Sequence, residues 1–146
     1  MNSPDWDSEA EVEMWCAEQR LVAAEYLSRQ PVRFGDLGHW PAWHVAPYVA
    51  IWAVESVATP GWVGWWVISG DLPTDYTSRS GANDPRGALA LFARRWEEAS
   101  KQMERGESHS DTSVDSAAAA PELGKLLMAR SRILTTWASD SSLWKE

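Results

Sequence analysis

Four polar residues carry what chemistry this sequence could support: His44, Asp71, Asp75 and Tyr76. A His beside two carboxylates could act as an acid/base pair or bind a divalent cation. The alternative is structural: Asp71 and Asp75 would cap turns by accepting backbone N–H groups, and His44 would make a hydrogen bond in the core. We favour the structural alternative and predict no catalytic residue, metal site or cofactor.

The 11 Trp residues raise a second question, because indole rings build cores, interfaces and ligand grooves equally well. Three of them lie at core spacing in predicted helices, namely Trp15, Trp96 and Trp137. Four others could form an exposed binding groove, although burial is the simpler expectation: Trp43, Trp62, Trp65 and Trp66.

Two apolar runs, residues 48–55 and 62–69, are rich in Val, Ile, Trp and Tyr and predict β-strands. Thr59-Pro60-Gly61 between them has turn chemistry, so the runs predict an antiparallel hairpin. Neither strand alternates apolar with polar residues, so both faces of the hairpin should be covered. Glu55 interrupts an apolar face, and its place beside the loop favours an exposed edge position over burial.

Helices are predicted at about 8–30, 85–105 and 121–138, with Ser8 and Glu11 as a capping box for the first and Asp84 as the cap of the second. The inner face of the first helix is predicted to consist of Val12, Trp15, Cys16, Val22, Ala23, Tyr26 and Leu27. Residues 31–47 are predicted to be irregular, and a short third strand at 32–34 is possible. Residues 70–76 are predicted to form a turn, and residues 106–120 a mobile connector. The whole predicts one α+β domain over residues 1–146.

The net charge of −8, from 13 basic and 21 acidic residues, disfavours nucleic acid and anionic membranes as partners. A basic protein partner would be attracted, although negative charge also serves simple solubility. The single Cys, the acidic N-terminus without a leader pattern and the lack of a long apolar run lead us to expect a cytoplasmic protein.

The segments WPAWHVAPYVAIWAVES and GWVGWWVISGDLPTDY, followed by a helix that opens on Asp-Pro-Arg, resemble a family of small acidic proteobacterial proteins known as a domain of unknown function. The resemblance extends to Cys-Ala-Glu-Gln-Arg in the first helix and Pro-Glu-Leu-Gly in the third. It implies a bacterial cytoplasmic protein and supplies no catalytic residues.

Two functions are compatible with these observations. The first is a non-enzymatic, acidic protein-binding module of the inhibitor, immunity or adaptor type, which presents aromatic anchors to a basic partner. The second is a small enzyme or ligand-binding protein with a Trp-lined pocket whose polar end is formed by His44, Asp71, Asp75 and Tyr76. We favour the first, because no catalytic motif is present.

Overall fold

Three α-helices and four β-strands make up the residues that the computed structural model describes, 8–105 and 120–144. In chain order they are α1 (Glu9–Ser28), β1 (Trp43–Val45), β2 (Val49–Glu55), β3 (Val63–Gly70), β4 (Asp75–Ser78), α2 (Pro85–Glu104) and α3 (Ala120–Ser139). Short 3-10 turns follow β4 at Arg79–Gly81 and α3 at Ser141–Trp144. The predicted α+β fold, with three helices around a small antiparallel sheet, is confirmed.

The strands form one antiparallel sheet in the order β1-β2-β3-β4, so each strand pairs with the next along the chain. The pairing of β2 with β3 is the predicted hairpin, with Ile51 opposite Ile68 and Trp52 opposite Val67. These partners are β-branched or aromatic, which is the composition that stabilises cross-strand pairs.

The hairpin turn has the geometry that its sequence predicts. The Trp62 N–H donates to the carbonyl oxygen of Thr59 at 3.2 Å, which closes a four-residue turn. Gly61, at the third position, has a φ of 90°, in the left-handed region that a type II turn requires there. Pro60 supplies the fixed φ of the second position.

Helices cover both faces of the sheet, as the uniformly apolar strands predict. On the side of α2 and α3, the buried strand residues are Val49, Ile51, Trp66 and Ile68. On the side of α1, they are Ala50, Trp52, Val54 and Val67. Successive side chains of each strand therefore point alternately into two separate hydrophobic cores, and the sheet is the middle of three layers.

Two predicted irregular segments contain strands. Trp43–Val45 is β1, inside the segment predicted to be irregular, whereas residues 32–34, where a third strand was possible, form no strand. Asp75–Ser78 is β4, where residues 70–76 were expected to leave the sheet as a turn. Both strands are short, and contacts with distant residues, rather than local sequence preference, hold them in the sheet.

The helix caps agree in part with the sequence. The Asp84 side chain accepts the Gly87 N–H at 2.7 Å and caps α2 as predicted. Ser8 precedes α1, but its side chain makes no capping hydrogen bond, so the predicted capping box is wrong. Val22 was expected on the inner face of α1 and is instead exposed. The predicted connector lies outside the described residues, except that α3 already begins at Ala120.

The described part of the chain contains no helix that is both long enough and apolar enough to cross a membrane.

Candidate functional site

The four polar candidates do not converge. His44 lies on β1 at one edge of the sheet, whereas Asp75 and Tyr76 lie on β4 at the other edge. Three strand spacings, roughly 14 Å, separate these edges. His44 faces α1, and Asp75 faces α2 on the opposite side of the sheet. The expectation that His44 approaches Asp71, Asp75 and Tyr76 is therefore wrong.

Asp75 acts within the fold. Its carboxylate is fully buried, and Oδ2 accepts the indole N–H of Trp96 at 2.9 Å. Arg95 Nη1 lies 3.3 Å from the same oxygen, while Oδ1 accepts the backbone N–H of Tyr76 at 2.8 Å. A buried charge needs such donors to offset the loss of hydration. These bonds fix β4 against α2, and they leave Asp75 enclosed by protein groups.

Asp71 and Tyr76 are also engaged by neighbouring side chains. The carboxylate of Asp71 is 72% exposed and lies 3.7 Å from Arg130 Nη2, while Arg130 Nε donates to the Asp71 carbonyl oxygen at 2.8 Å. The ring of Tyr76 packs against Phe34 and Tyr26, with centroids 5.4 and 6.0 Å away. Asp71 and Tyr76 therefore contact different parts of the protein and do not share a site.

His44 lies in an aromatic setting. Its ring centroid is 5.6 Å from that of Trp40 and 6.5 Å from that of Trp15. Burial lowers the pKa of His44 below its ordinary value, because desolvation disfavours the charged imidazolium. The neutral ring is therefore the form that the fold favours.

Three of the four candidate Trp side chains are packed into the fold. Trp66 is 4% exposed, and its indole N–H donates to the carbonyl oxygen of Ala82 at 2.8 Å. Trp65 packs edge-on against a Phe ring at 4.9 Å. Trp43 stacks on Trp144, with centroids 4.3 Å apart. A groove that contains all four rings is therefore absent.

Trp62 is the fourth candidate and is 64% exposed, beside the turn of the β2–β3 hairpin. It borders a cavity of about 370 Å³. We call this cavity the hairpin-end cleft; its lining consists of Asp36, Leu37, Gly38, His39, Ala53, Val54, Glu55, Gly61, Trp62 and Val63. The cleft thus contains Glu55 and Trp62, which the sequence places together at the loop end of the hairpin, and adds Asp36 and His39, which it does not place there.

The two acids of the cleft are set side by side by backbone pairing. The Glu55 N–H donates to the carbonyl oxygen of Asp36 at 2.8 Å, and the Gly35 N–H donates to that of Glu55 at 3.0 Å. Leu37 forms an isolated antiparallel β-bridge with Val54, and its side chain packs on the side of the sheet that α1 covers. Asp36 and Glu55 are thus joined through their backbones, and both residues line the cleft.

This arrangement places two negative charges in one cleft, with no counter-charge among the residues that the structure describes. Like charges that face each other across paired backbone segments are destabilising. The lining contains no Lys or Arg. Within the described residues, neither Asp36 nor Glu55 takes part in an ion pair.

The cleft differs from a metal centre. In residues 8–105 and 120–144, no group of three or more His, Cys, Asp and Glu side chains is arranged to hold a metal ion.

Asp36 and His39 were missed as site residues, because nothing local links them to the hairpin. The available signal was Gly35. A Cβ at this position would collide with the carbonyl group of Glu55, so the close approach of the two segments depends on glycine.

The fold and the cleft define a class: a small α+β protein whose candidate site is an open, acidic, aromatic cleft at one end of the central hairpin. The chain belongs to the family described as Domain of unknown function (DUF4826), whose model matches residues 9–144. Neither the curated proteins nor the solved structures contain a match to the chain.

Proposed function

We propose that this protein is a non-enzymatic, acidic protein-binding module whose hairpin-end cleft receives a Lys or Arg side chain of a basic partner. One observation carries the proposal: Asp36 and Glu55 line the same cleft as the exposed ring of Trp62, and neither acid forms an ion pair with another described residue. Such a pair is costly in the free protein, so a bound cation would remove the repulsion as well as add its own contacts.

The energetics suit a recognition site. A cation over an indole face contributes about 0.5–2 kcal/mol, depending on how far it is desolvated. Exposed Trp, together with Arg and Tyr, is enriched among the residues that dominate binding energy. The net charge of −8 adds long-range attraction, which raises the association rate with a basic protein and falls with added salt.

The alternative of a small enzyme is less well supported, because His44, Asp71, Asp75 and Tyr76 lie in separate contacts. Nucleic acid and anionic membranes remain disfavoured partners on grounds of charge. We further propose that the protein works in the bacterial cytoplasm, where its single, buried Cys16 would stay reduced. Burial also raises the pKa of the Cys16 thiol, which suits a structural rather than a reactive residue.

Affinity capture from the lysate of the host cell tests the proposal. The bait proteins would be the natural chain, Trp62→Ala, and the double variant Asp36→Asn/Glu55→Gln. The control is Tyr48→Ala, which removes another exposed aromatic ring near Asp71, at the opposite end of the hairpin from Trp62. We expect a basic protein that the natural chain and Tyr48→Ala retain at low salt and that both cleft variants lose.

Retention of the same protein by all four baits would contradict the assignment of the cleft. Retention that is unchanged between low and high salt would contradict the electrostatic part of the proposal. Circular dichroism of each variant would establish that the baits are folded.

A further inference from the structure

The outward surface of α1 contains an apolar stripe that faces solvent. Its exposed residues include Met14 and Leu21, which are 61% and 70% exposed and seven positions apart. Ala10, Ala17 and Ala24 are exposed as well. Together they recur at alternating intervals of four and three, the spacing of a seam along which a second helix packs. We call Ala10, Met14, Ala17, Leu21 and Ala24 the α1 outer seam.

This seam is in addition to the apolar face by which α1 is already held. The inward residues Trp15, Cys16, Ala23, Tyr26 and Leu27 are buried against the sheet. A helix with one buried face ordinarily turns polar residues outward. The outer seam therefore offers apolar surface that the fold itself does not use, a pattern typical of interaction sites.

Carboxylates border the seam on both sides. Glu11, Glu18 and Glu25 follow one flank at intervals of seven residues, and Glu13 lies on the other flank. Arg20, the basic residue on the flank of Glu13, directs its guanidinium to the carbonyl oxygens of Leu37 and Gly38, each at 2.9 Å. Arg29 stands at the C-terminal end of the Glu row. The flanks are thus predominantly negative along most of the helix.

We propose that the α1 outer seam binds an amphipathic helix of a partner protein whose apolar stripe is flanked by Lys or Arg. In helix pairing, the charged flanking positions select the partner, since opposite charges attract and like charges repel. A second copy of this chain would bring its own row of Glu11, Glu18 and Glu25 against these mostly acidic flanks, and an anionic membrane would meet the same repulsion. The seam is a surface distinct from the hairpin-end cleft, and the inference does not depend on the cleft.

A designed peptide tests the seam directly. The probe is a fluorescein-labelled, 21-residue helix with Leu at both seam positions of three heptads and Lys at all flanking positions, which keeps the peptide from pairing with itself. Its binding to the full chain would be followed by fluorescence anisotropy at low salt. The variants are Leu21→Glu and the matched control Ile133→Glu, which adds the same charge at an exposed apolar residue of α3.

The sign of the effect separates docking from plain charge attraction. We expect Leu21→Glu to weaken binding at least tenfold although it makes the protein more negative, and Ile133→Glu to stay within twofold of the natural chain. Trp62→Ala should also stay within twofold, so that failure at the seam and failure at the cleft are distinguishable. Binding to Leu21→Glu that equals or exceeds binding to the natural chain would overturn the proposal, as would a lack of saturable binding to the natural chain.

Analytical ultracentrifugation of the chain without peptide tests whether a second copy of this chain occupies the α1 outer seam. A monomer at concentrations up to 100-fold above the peptide dissociation constant is the expected result. A dimer that Leu21→Glu dissociates would mean that the seam pairs two copies of this chain, and would overturn the assignment to a basic partner.

Discussion

Asp75 with Trp96, and Asp36 and Glu55 with Trp62, are two groupings of the same residue types with opposite surroundings. At the first, the carboxylate is fully buried and accepts the indole N–H at 2.9 Å, with Arg95 beside it. At the second, two carboxylates line an open cleft and the indole ring is mostly exposed. In the first grouping, side chains of the same protein surround the carboxylate, whereas in the second the carboxylates and the ring face an open cleft.

The difference teaches that carboxylate and Trp in proximity do not by themselves define a site. What matters is whether the fold supplies the donors. Where Arg95 and Trp96 supply them, the acid stabilises the junction of β4 and α2, and its removal should damage stability. Where no described donor is present, the acids should cost stability and be available for binding.

The largest expected effect is on stability at the closed grouping. Asp75→Ala leaves the buried N–H of Trp96 without an acceptor and removes the partner of Arg95, so we expect the free energy of unfolding to fall by about 3 kcal/mol. Urea denaturation followed by circular dichroism measures this loss. A loss below about 1 kcal/mol would show that the two groupings differ less than their burial indicates.

The open grouping should respond with the opposite sign. Glu55→Gln removes one of two adjacent negative charges, so we expect the free energy of unfolding to rise by about 0.5 kcal/mol. Glu97→Gln is the matched control, because Glu97 pairs with Lys101 at 3.3 Å on the surface of α2 and its neutralisation should lower stability by about 0.3 kcal/mol. A clear fall in stability for Glu55→Gln would mean that its carboxylate is stabilised within the fold.

A similarly small effect, of the opposite sign to that at Glu55, is expected at Asp71, an exposed acid that does have a partner. Asp71→Ala removes a carboxylate 3.7 Å from Arg130 but leaves the bond from Arg130 to the backbone carbonyl. Exposed pairs of this kind contribute about 0–1 kcal/mol, so we expect a loss of about 0.5 kcal/mol in urea denaturation. A loss above 2 kcal/mol would indicate that the Asp71 carboxylate has a structural role as strong as that of Asp75.

The sequence allowed the framework to be predicted but not the ends of the sheet. The β2–β3 hairpin and the three helices follow from long apolar patterns and from Thr59-Pro60-Gly61, which are local signals. The strands β1 and β4 are three and four residues long, too short to show a pattern of their own. Their place is set by distant contacts, such as that of Asp75 with Trp96.

The candidate site was predictable only in part, through Glu55 and Trp62, which flank the loop of the predicted hairpin. Because both faces of β3 are apolar, the sequence could not distinguish buried Trp66 from exposed Trp62. The acids of the cleft come together through pairing of residues 35–38 with 53–55, which no periodic pattern in that Gly-containing segment indicates. His44 was misplaced for a related reason, since the order of the strands decides which edge it occupies.

The most direct test of the central claim is a nuclear magnetic resonance titration of the natural chain with two short capped peptides that differ in one residue, Gly-Arg-Gly and Gly-citrulline-Gly. Citrulline has nearly the shape of Arg without its charge. The account predicts that the Arg peptide shifts the signals of the Trp62 indole and of the Asp36 and Glu55 amides to saturation, while the citrulline peptide leaves them unchanged. Equal shifts with both peptides, or shifts spread over the acidic surface away from the cleft, would contradict it.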